Sequence, residues 1–218
     1  LTVIDLHAAK LKKYETEYNL SPNVMYSIDK IQVMIKRIGK IIKGLKTLAR
    51  DGNRDPMIPF LVANMLEDVH ALIEMKLKTN GIDFEIKIEN KNLEVIGREV
   101  QISQVMVNLI GNAIDAIMDH GNENKWIKVE VNDKEECVFI SVTDSGEGIS
   151  EELLEKIMHP FFTTKDATRG TGLGLSISKD IIEEHGGKLE YNRYFKNTQF
   201  VFSIKKGNST QDFMEKSS

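Results

Sequence analysis

The chain has 218 residues, 41% of them hydrophobic and 28% charged, and a formal net charge of −4. That composition is ordinary for a soluble protein with a real core, and it lacks the basic excess of a nucleic-acid binder. The single cysteine, Cys137, excludes an internal disulfide framework and a cysteine-based metal cluster, and no run approaches the roughly 20 apolar residues of a membrane-spanning helix.

Cys137 opens an apolar run that ends at Val142, and it is expected as a small buried hydrophobe. The chain starts at Leu1 with no initiator methionine and no signal peptide. It therefore reads as a cytoplasmic piece of something longer, making no membrane contact itself, with the attachment of the whole protein left open.

Leu1, Ile4, Ala8, Leu11 and Tyr18 sit at helical spacing, and residues 19–22 turn the chain back. From there Val24, Ile28, Ile31, Ile35, Ile38, Ile42, Leu45 and Ala49 repeat at intervals of four and three, the seam of a helix packed in a bundle. Ser21 followed by Pro22 is a good helix start. Gly39 and Gly44 each cost about 1 kcal/mol relative to alanine in a helix interior, so packing rather than propensity must hold this helix. Residues 1–51 thus form a helical hairpin. Two helices enclose no core alone, and a homodimeric four-helix bundle is the economical solution.

Residues 52–59 are rich in Asn, Asp and Pro and are expected to link that hairpin to a second domain over 60–206, with a frayed tail over 207–218. The second domain carries a mixed α/β pattern. A helix is predicted over Leu61–Lys78, a strand over Asp83–Glu89 and a long helix over Glu99–Asp119. Strands over Ile127–Val131 and Val138–Thr143 follow. A helix over Leu173–His185 then leads through Gly186 and Gly187 to strands over Lys188–Arg193 and Gln199–Lys205.

Four short motifs carry the chemistry. On the long helix, Ile102, Val105, Met106, Leu109, Ala113 and Ile117 form an apolar side. Asn108, Asn112, Asp115 and Asp119 line up on another. Such a stripe can be a solvated face, yet amide oxygens are also suitable ligands for Mg²⁺. Asp144-Ser145-Gly146-Glu147-Gly148 follows a strand. A carboxylate there can accept a hydrogen bond from an exocyclic amine such as adenine's, and the glycines let the backbone approach a flat ring, although a tight turn or calcium loop has the same letters. Pro160-Phe161-Phe162-Thr163-Thr164-Lys165 is either a strand fragment or a loop anchored by its phenylalanines, with Lys165 and Arg169 as phosphate-facing cations. Gly170-Thr171-Gly172-Leu173-Gly174-Leu175 opens the next helix, where backbone N–H groups can hold phosphate oxygens, but it matches neither the Rossmann fingerprint nor a P-loop.

In this order and spacing the four motifs resemble the N, G1, F and G2 boxes of bacterial sensor histidine kinases. The resemblance covers roughly Phe60–Lys205, and the hairpin resembles the dimerisation and histidine-phosphotransfer element before it. It implies a two-layer α/β sandwich with a Bergerat-type ATP site, an α+β fold shared with DNA gyrase, mismatch-repair ATPases and a heat-shock chaperone. Asp144 then binds the adenine amino group. Gly146, Gly148 and Ile149 shape the purine pocket, and Asn108 and Asn112 hold Mg²⁺. Phe161, Phe162, Thr163, Thr164, Lys165 and Arg169 belong to the same ATP site, with Gly170, Thr171, Gly172, Leu173, Gly174 and Leu175 as lid and phosphate loop. Asp115 falls in the same ATP site, although it departs from the lysine or tyrosine that some kinases have there. The hydrolysing relatives carry a glutamate at the position of Asn108. An amide there favours a kinase, which passes phosphate to a histidine and then to a response-regulator aspartate.

None of His7, His70, His120, His159 and His185 has the expected acceptor context. His7, the only one in the first helix, is followed by Ala8 and not by an acidic residue. The acceptor is therefore expected to precede Leu1. Two rivals are weighed against the kinase: a serine-phosphorylating anti-sigma factor, which would lack the hairpin, and a non-catalytic nucleotide-binding regulator.

Overall fold

The computed structural model describes residues 6–8, 10–11, 21–32, 34–35, 56–121, 124–165 and 170–206. The expected tail and much of the expected hairpin and linker lie outside the described residues. The chain divides into two compact units, one of Leu1–Gly52 with His159–Gly174, the other of Asn53–Met158 with Leu175–Ser218. Among the described residues no helix is long and apolar enough to cross a membrane.

In the first unit residues 22–32 are helical, and the amides of Val24 and Met25 both donate to the Ser21 carbonyl, as the Ser21-Pro22 start predicts. Along the seam Ile28 and Ile35 are buried, whereas Val24 and Ile31 remain 43% and 48% exposed.

The second unit begins with a pairing that periodicity did not reveal. Strand β1 (Ile58–Leu61) runs antiparallel to β3 (Glu94–Gly97), with Phe60 opposite Val95. It starts inside the stretch expected to be linker. Helix α1 (Val62–Asn80) follows directly and buries Val62, Met65, Leu66, Val69, Ile73 and Leu77, an apolar face at helical spacing. Strand β2 (Asp83–Ile88) then pairs in parallel with β4 (Trp126–Asp133). Parallel neighbours need a crossover, and β3 and helix α2 (Glu99–His120) supply it.

Strand β5 (Cys137–Asp144) runs antiparallel to β4. After a short helix α3 (Glu151–Leu154) and helix α4 (Gly174–Glu184), strands β6 (Leu189–Tyr191) and β7 (Gln199–Lys205) complete a five-stranded sheet of order β2-β4-β5-β7-β6. One face carries Val129, Val138, Ile140, Val142, Phe202 and Ile204, all buried with the predicted α2 stripe of Ile102, Val105, Met106, Leu109, Ala113 and Ile117. Each such large side chain stabilises by roughly 1.5–3 kcal/mol on full burial, so packing holds α2 despite its asparagines. On the opposite face of the β2–β4 pair, Glu85 lies beside Lys128 and Lys87 beside Glu130. Across the β2–β4 pair one face is dry and the other charged, as expected where helices cover a single face of a two-layer fold.

Strand alternation also corrects the reading of Cys137, which is partly exposed and not buried. Val138, Ile140 and Val142 take the core face of β5, so Cys137 falls on the other, opposite Lys205.

His185, just past α4, is 4% exposed and satisfied at both ring nitrogens. Nδ1 lies 2.7 Å from the Ile181 carbonyl, which can only accept, and Nε2 accepts the Arg98 N–H at 2.9 Å. The ring is therefore the neutral Nδ1–H tautomer. Burial lowers its pKa below the ordinary 6.5; the Ile181 bond, the next largest effect, opposes it, and the Arg98 guanidinium lowers it and Glu184 raises it by less. With the folded-state pKa below the unfolded one, the unfolded chain binds the proton first as pH falls. Stability from this residue is complete above the unfolded pKa and is lost between that pH and the lower folded pKa. Thermal melts should show Tm falling below about pH 6.5, with a shallower slope for His185→Gln. An unchanged slope in the variant would assign the pH dependence elsewhere.

Candidate functional site

Asp144 closes β5 on the core side of the pleat, in the alternation Val138, Ile140, Val142, Asp144. It is 3% exposed, an expensive position for a carboxylate unless hydrogen bonds receive it. Its Oδ1 accepts the Gly146 N–H at 2.7 Å, and its own N–H donates to the Thr198 carbonyl at 3.0 Å. Ser145 ties the loop to β4: its N–H donates to the Trp126 carbonyl at 3.0 Å and its Oγ accepts the Trp126 N–H at 3.3 Å. Further on, the Ile149 N–H donates to the Tyr191 hydroxyl at 3.1 Å, and Asn197 Nδ2 donates to the Gly146 carbonyl at 3.1 Å.

A Cβ on Gly146 would stand 2.7 Å from Asp144 Oδ1 and 3.1 Å from Thr198 Oγ1. The loop thus keeps clear the space around a buried carboxylate. A flat ring offering an N–H donor fits that acceptor chemistry.

On α2, Asn108, Asn112 and Asp115 are half-buried and Asp119 is exposed. Asn108 Nδ2 donates to the Ser178 hydroxyl on α4 at 2.9 Å. Asp115 lies 3.4 Å from Lys76 Nζ on α1, an ion pair within the protein at the position that sequence reading gave to the nucleotide. Both partners are partly exposed, so the pair contributes little stability. Among the described residues no group of three or more His, Cys, Asp and Glu side chains is placed to hold a metal. The amide oxygens of Asn108 and Asn112 and the carboxylates of Asp115 and Asp119 are the hard oxygen ligands on this helix face.

Residues 159–165 form no strand, and of the two phenylalanines only Phe162 is even half-buried. Phe161 is 60% exposed and has a φ of 67°, a left-handed conformation unusual for a bulky aromatic and costing about 1–3 kcal/mol. The reason lies at Gly172, φ 69°, where a Cβ would come within 2.3 Å of the Phe161 carbonyl carbon. The backbones of the two motifs are in direct contact, and only glycine allows it. Locally, the Lys165 N–H donates to Thr163 Oγ1 at 3.1 Å and the Leu173 N–H to Thr171 Oγ1 at 3.4 Å. Thr164 is exposed, Phe162, Gly170 and Gly174 are half-buried, and Leu173 is buried. Leu175, half-buried on α4, belongs to the second unit, and Arg169 lies outside the described residues.

Four residues that sequence reading did not single out help to build the site: Ser178, Tyr191, Asn197 and Thr198. Each reaches its motif across a long sequence separation, 70 residues for Ser178, 42 for Tyr191 and 51 for Asn197. No local pattern marks them. The nearest signal is a serine on the apolar face of a helix.

The sequence profile of the histidine kinase-, DNA gyrase B- and HSP90-like ATPase family matches residues 97–208. Sporulation kinase A of Bacillus subtilis (strain 168) is 33% identical over 173 residues, 79% of this chain. The chain spans 28% of that relative's length. The catalytic domain of histidine kinase ThkA superposes with a TM-score of 0.63 at 41% identity, over 70% of this chain and 97% of that one. Histidine kinase ThkA in complex with the response regulator protein TrrA gives 0.69 at 32% identity, over 94% of this chain and 57% of that one.

Proposed function

The chain belongs to the histidine kinase-, DNA gyrase B- and HSP90-like ATPase family, and on that footing we propose that it is the nucleotide-holding part of a sensor histidine kinase. The observation that carries this reading is Asp144, a buried carboxylate whose neighbouring glycine loop is pinned from Thr198, Asn197 and Tyr191. Asp144 accepts the exocyclic amine of adenine, and Gly146, Gly148 and Ile149 form the wall beside the ring. Asn108 and Asn112 offer amide oxygens to Mg²⁺. The segment from Phe161 to Lys165 and the glycines 170, 172 and 174 serve the phosphates, together with Arg169.

Mg·ATP supplies the transferable γ-phosphoryl group and the counter-charge for it. Asn108 contributes no base, because an amide takes no proton from water at neutral pH. The site therefore retains the phosphoryl group for a histidine of the dimerisation element, from which an aspartate of a response-regulator receiver domain takes it. Exposed Val24 and Ile31 on the bundle seam support a second copy of the chain as the helical partner. The setting is cytoplasmic.

Calorimetry should find saturable Mg·ATP binding with phosphate release at the solvent background, and with no label from γ-labelled ATP on the chain's own histidines. Steady ATP hydrolysis that Asp144→Asn abolishes would replace the kinase reading with a hydrolase.

A further inference from the structure

The geometry points to Ser178 as a positioning residue that sets which atom of the Asn108 amide meets the metal, an inference that rests on the nucleotide-site reading above. Helix α4 buries Ser176, Ile177, Ser178, Ile181 and Ile182, and Ser178 is 2% exposed. Alanine would serve that position better on propensity and packing alone, and a buried hydroxyl needs a partner. Its partner is Asn108, 70 residues earlier, whose Nδ2 donates to Ser178 Oγ at 2.9 Å.

An asparagine amide has a donor edge and an acceptor edge, and its terminal torsion is broad and roughly two-fold. Without an external bond it can present either NH₂ or oxygen to the same place. Mg²⁺ takes oxygen ligands in a near-octahedral shell and is repelled by the NH₂ edge. Anchoring Nδ2 at Ser178 removes the flipped orientation and leaves Oδ1 on the opposite edge of the amide. Ser178 thus acts on the metal through Asn108, without touching metal or nucleotide.

The test is ATP affinity in Mg²⁺ and in EDTA, measured by calorimetry or from the single tryptophan, Trp126, in wild type, Ser178→Ala, Ser178→Cys, Ser178→Thr, Asn108→Ala and the Asn108→Ala/Ser178→Ala double variant. Ser178→Ala should weaken Mg·ATP binding about fivefold to tenfold, the worth of one hydrogen bond, with affinity in EDTA unchanged. Ser178→Cys, close in volume but a poor acceptor, should reproduce that selective loss. Ser178→Thr should restore the wild-type value, and in the Asn108→Ala background Ser178→Ala should add nothing. Equal losses in Mg²⁺ and EDTA, an added loss in the double variant, or full Mg²⁺ dependence in Ser178→Ala would each overturn the positioning role. A wild type that gains no affinity from Mg²⁺ would instead overturn the metal-site reading, and the role of Ser178 with it.

Discussion

Asp144→Asn is expected to lower ATP affinity roughly ten- to hundredfold, the worth of one hydrogen bond to a charged acceptor in a buried site. The substitution is close to isosteric. An asparagine in the same rotamer can still accept the Gly146 N–H that Oδ1 takes at 2.7 Å. Its second edge is then NH₂, a donor set against the donor of the adenine amine, where the wild type offers a second acceptor oxygen. Loss of the charge and the donor–donor contact act in the same direction. Calorimetric titration of both proteins with Mg·ATP measures the ratio, and thermal melts without nucleotide check that the variant is folded. Undiminished affinity in a folded variant would remove Asp144 from the site and take the adenine pocket with it. A variant that binds GTP as weakly as ATP would locate the loss in the purine contact and not in the phosphates.

The parts of the structure that repeat at short range were legible in the sequence. The α2 stripe is buried as its spacing predicts, and the core of each long strand appears within the predicted run. Strands β1 and β3 are four residues each, and their pairing bridges more than thirty residues. With Pro59 in one and no sustained alternation in either, they are strands because each supplies the other's hydrogen bonds. Cys137 was misread because an apolar run does not say which face of the sheet a given residue takes. Phe161 was misread for a related reason: an aromatic pair suggests burial, but the close approach of Gly172 sets the backbone there and turns Phe161 outward.

The candidate site divides in the same way. Its chemistry-bearing residues announce themselves because glycines, asparagines and a strand-end aspartate in fixed order make poor neutral surface. The residues that hold them in place have ordinary identities and act over distances in sequence that no local window spans. Ser178, Tyr191 and Thr198 could be assigned only once the fold had brought α4 to the middle of α2, and β6 and the start of β7 to the end of β5 and the loop after it.

Gly187→Ala is expected to destabilise the second unit by about 3 kcal/mol, the upper range for forcing atoms into a packed interior. Helix α4 ends through Gly186 and Gly187: the Gly186 N–H donates to Glu183 and the Gly187 N–H reaches back to Ile182, both at 2.9 Å. That second bond turns the chain sharply onto the sheet, where the Lys188 carbonyl accepts the Ser203 N–H at 3.0 Å and the Lys188 N–H donates to Ser203 Oγ at 3.0 Å. A Cβ at residue 187 would stand 1.8 Å from the Ser203 carbonyl oxygen. The obstacle is backbone, and it belongs to β7, which lies between β5 and β6 with a ladder on each side. Moving it disturbs both ladders, so relaxation is costly. For a chain of this size the loss corresponds to a Tm lower by about 6–12 °C. Gly111 provides the contrast, because a Cβ there meets nothing within 4 Å and the position is inside α2. Gly111→Ala should therefore raise stability by about 0.5–1 kcal/mol through helix propensity. Two glycine-to-alanine changes in one unit, opposite in sign, separate the close approach at Ser203 from any general effect of losing a glycine. A Gly187→Ala protein that melts with the wild type would mean that α4 does not meet β7 by this turn.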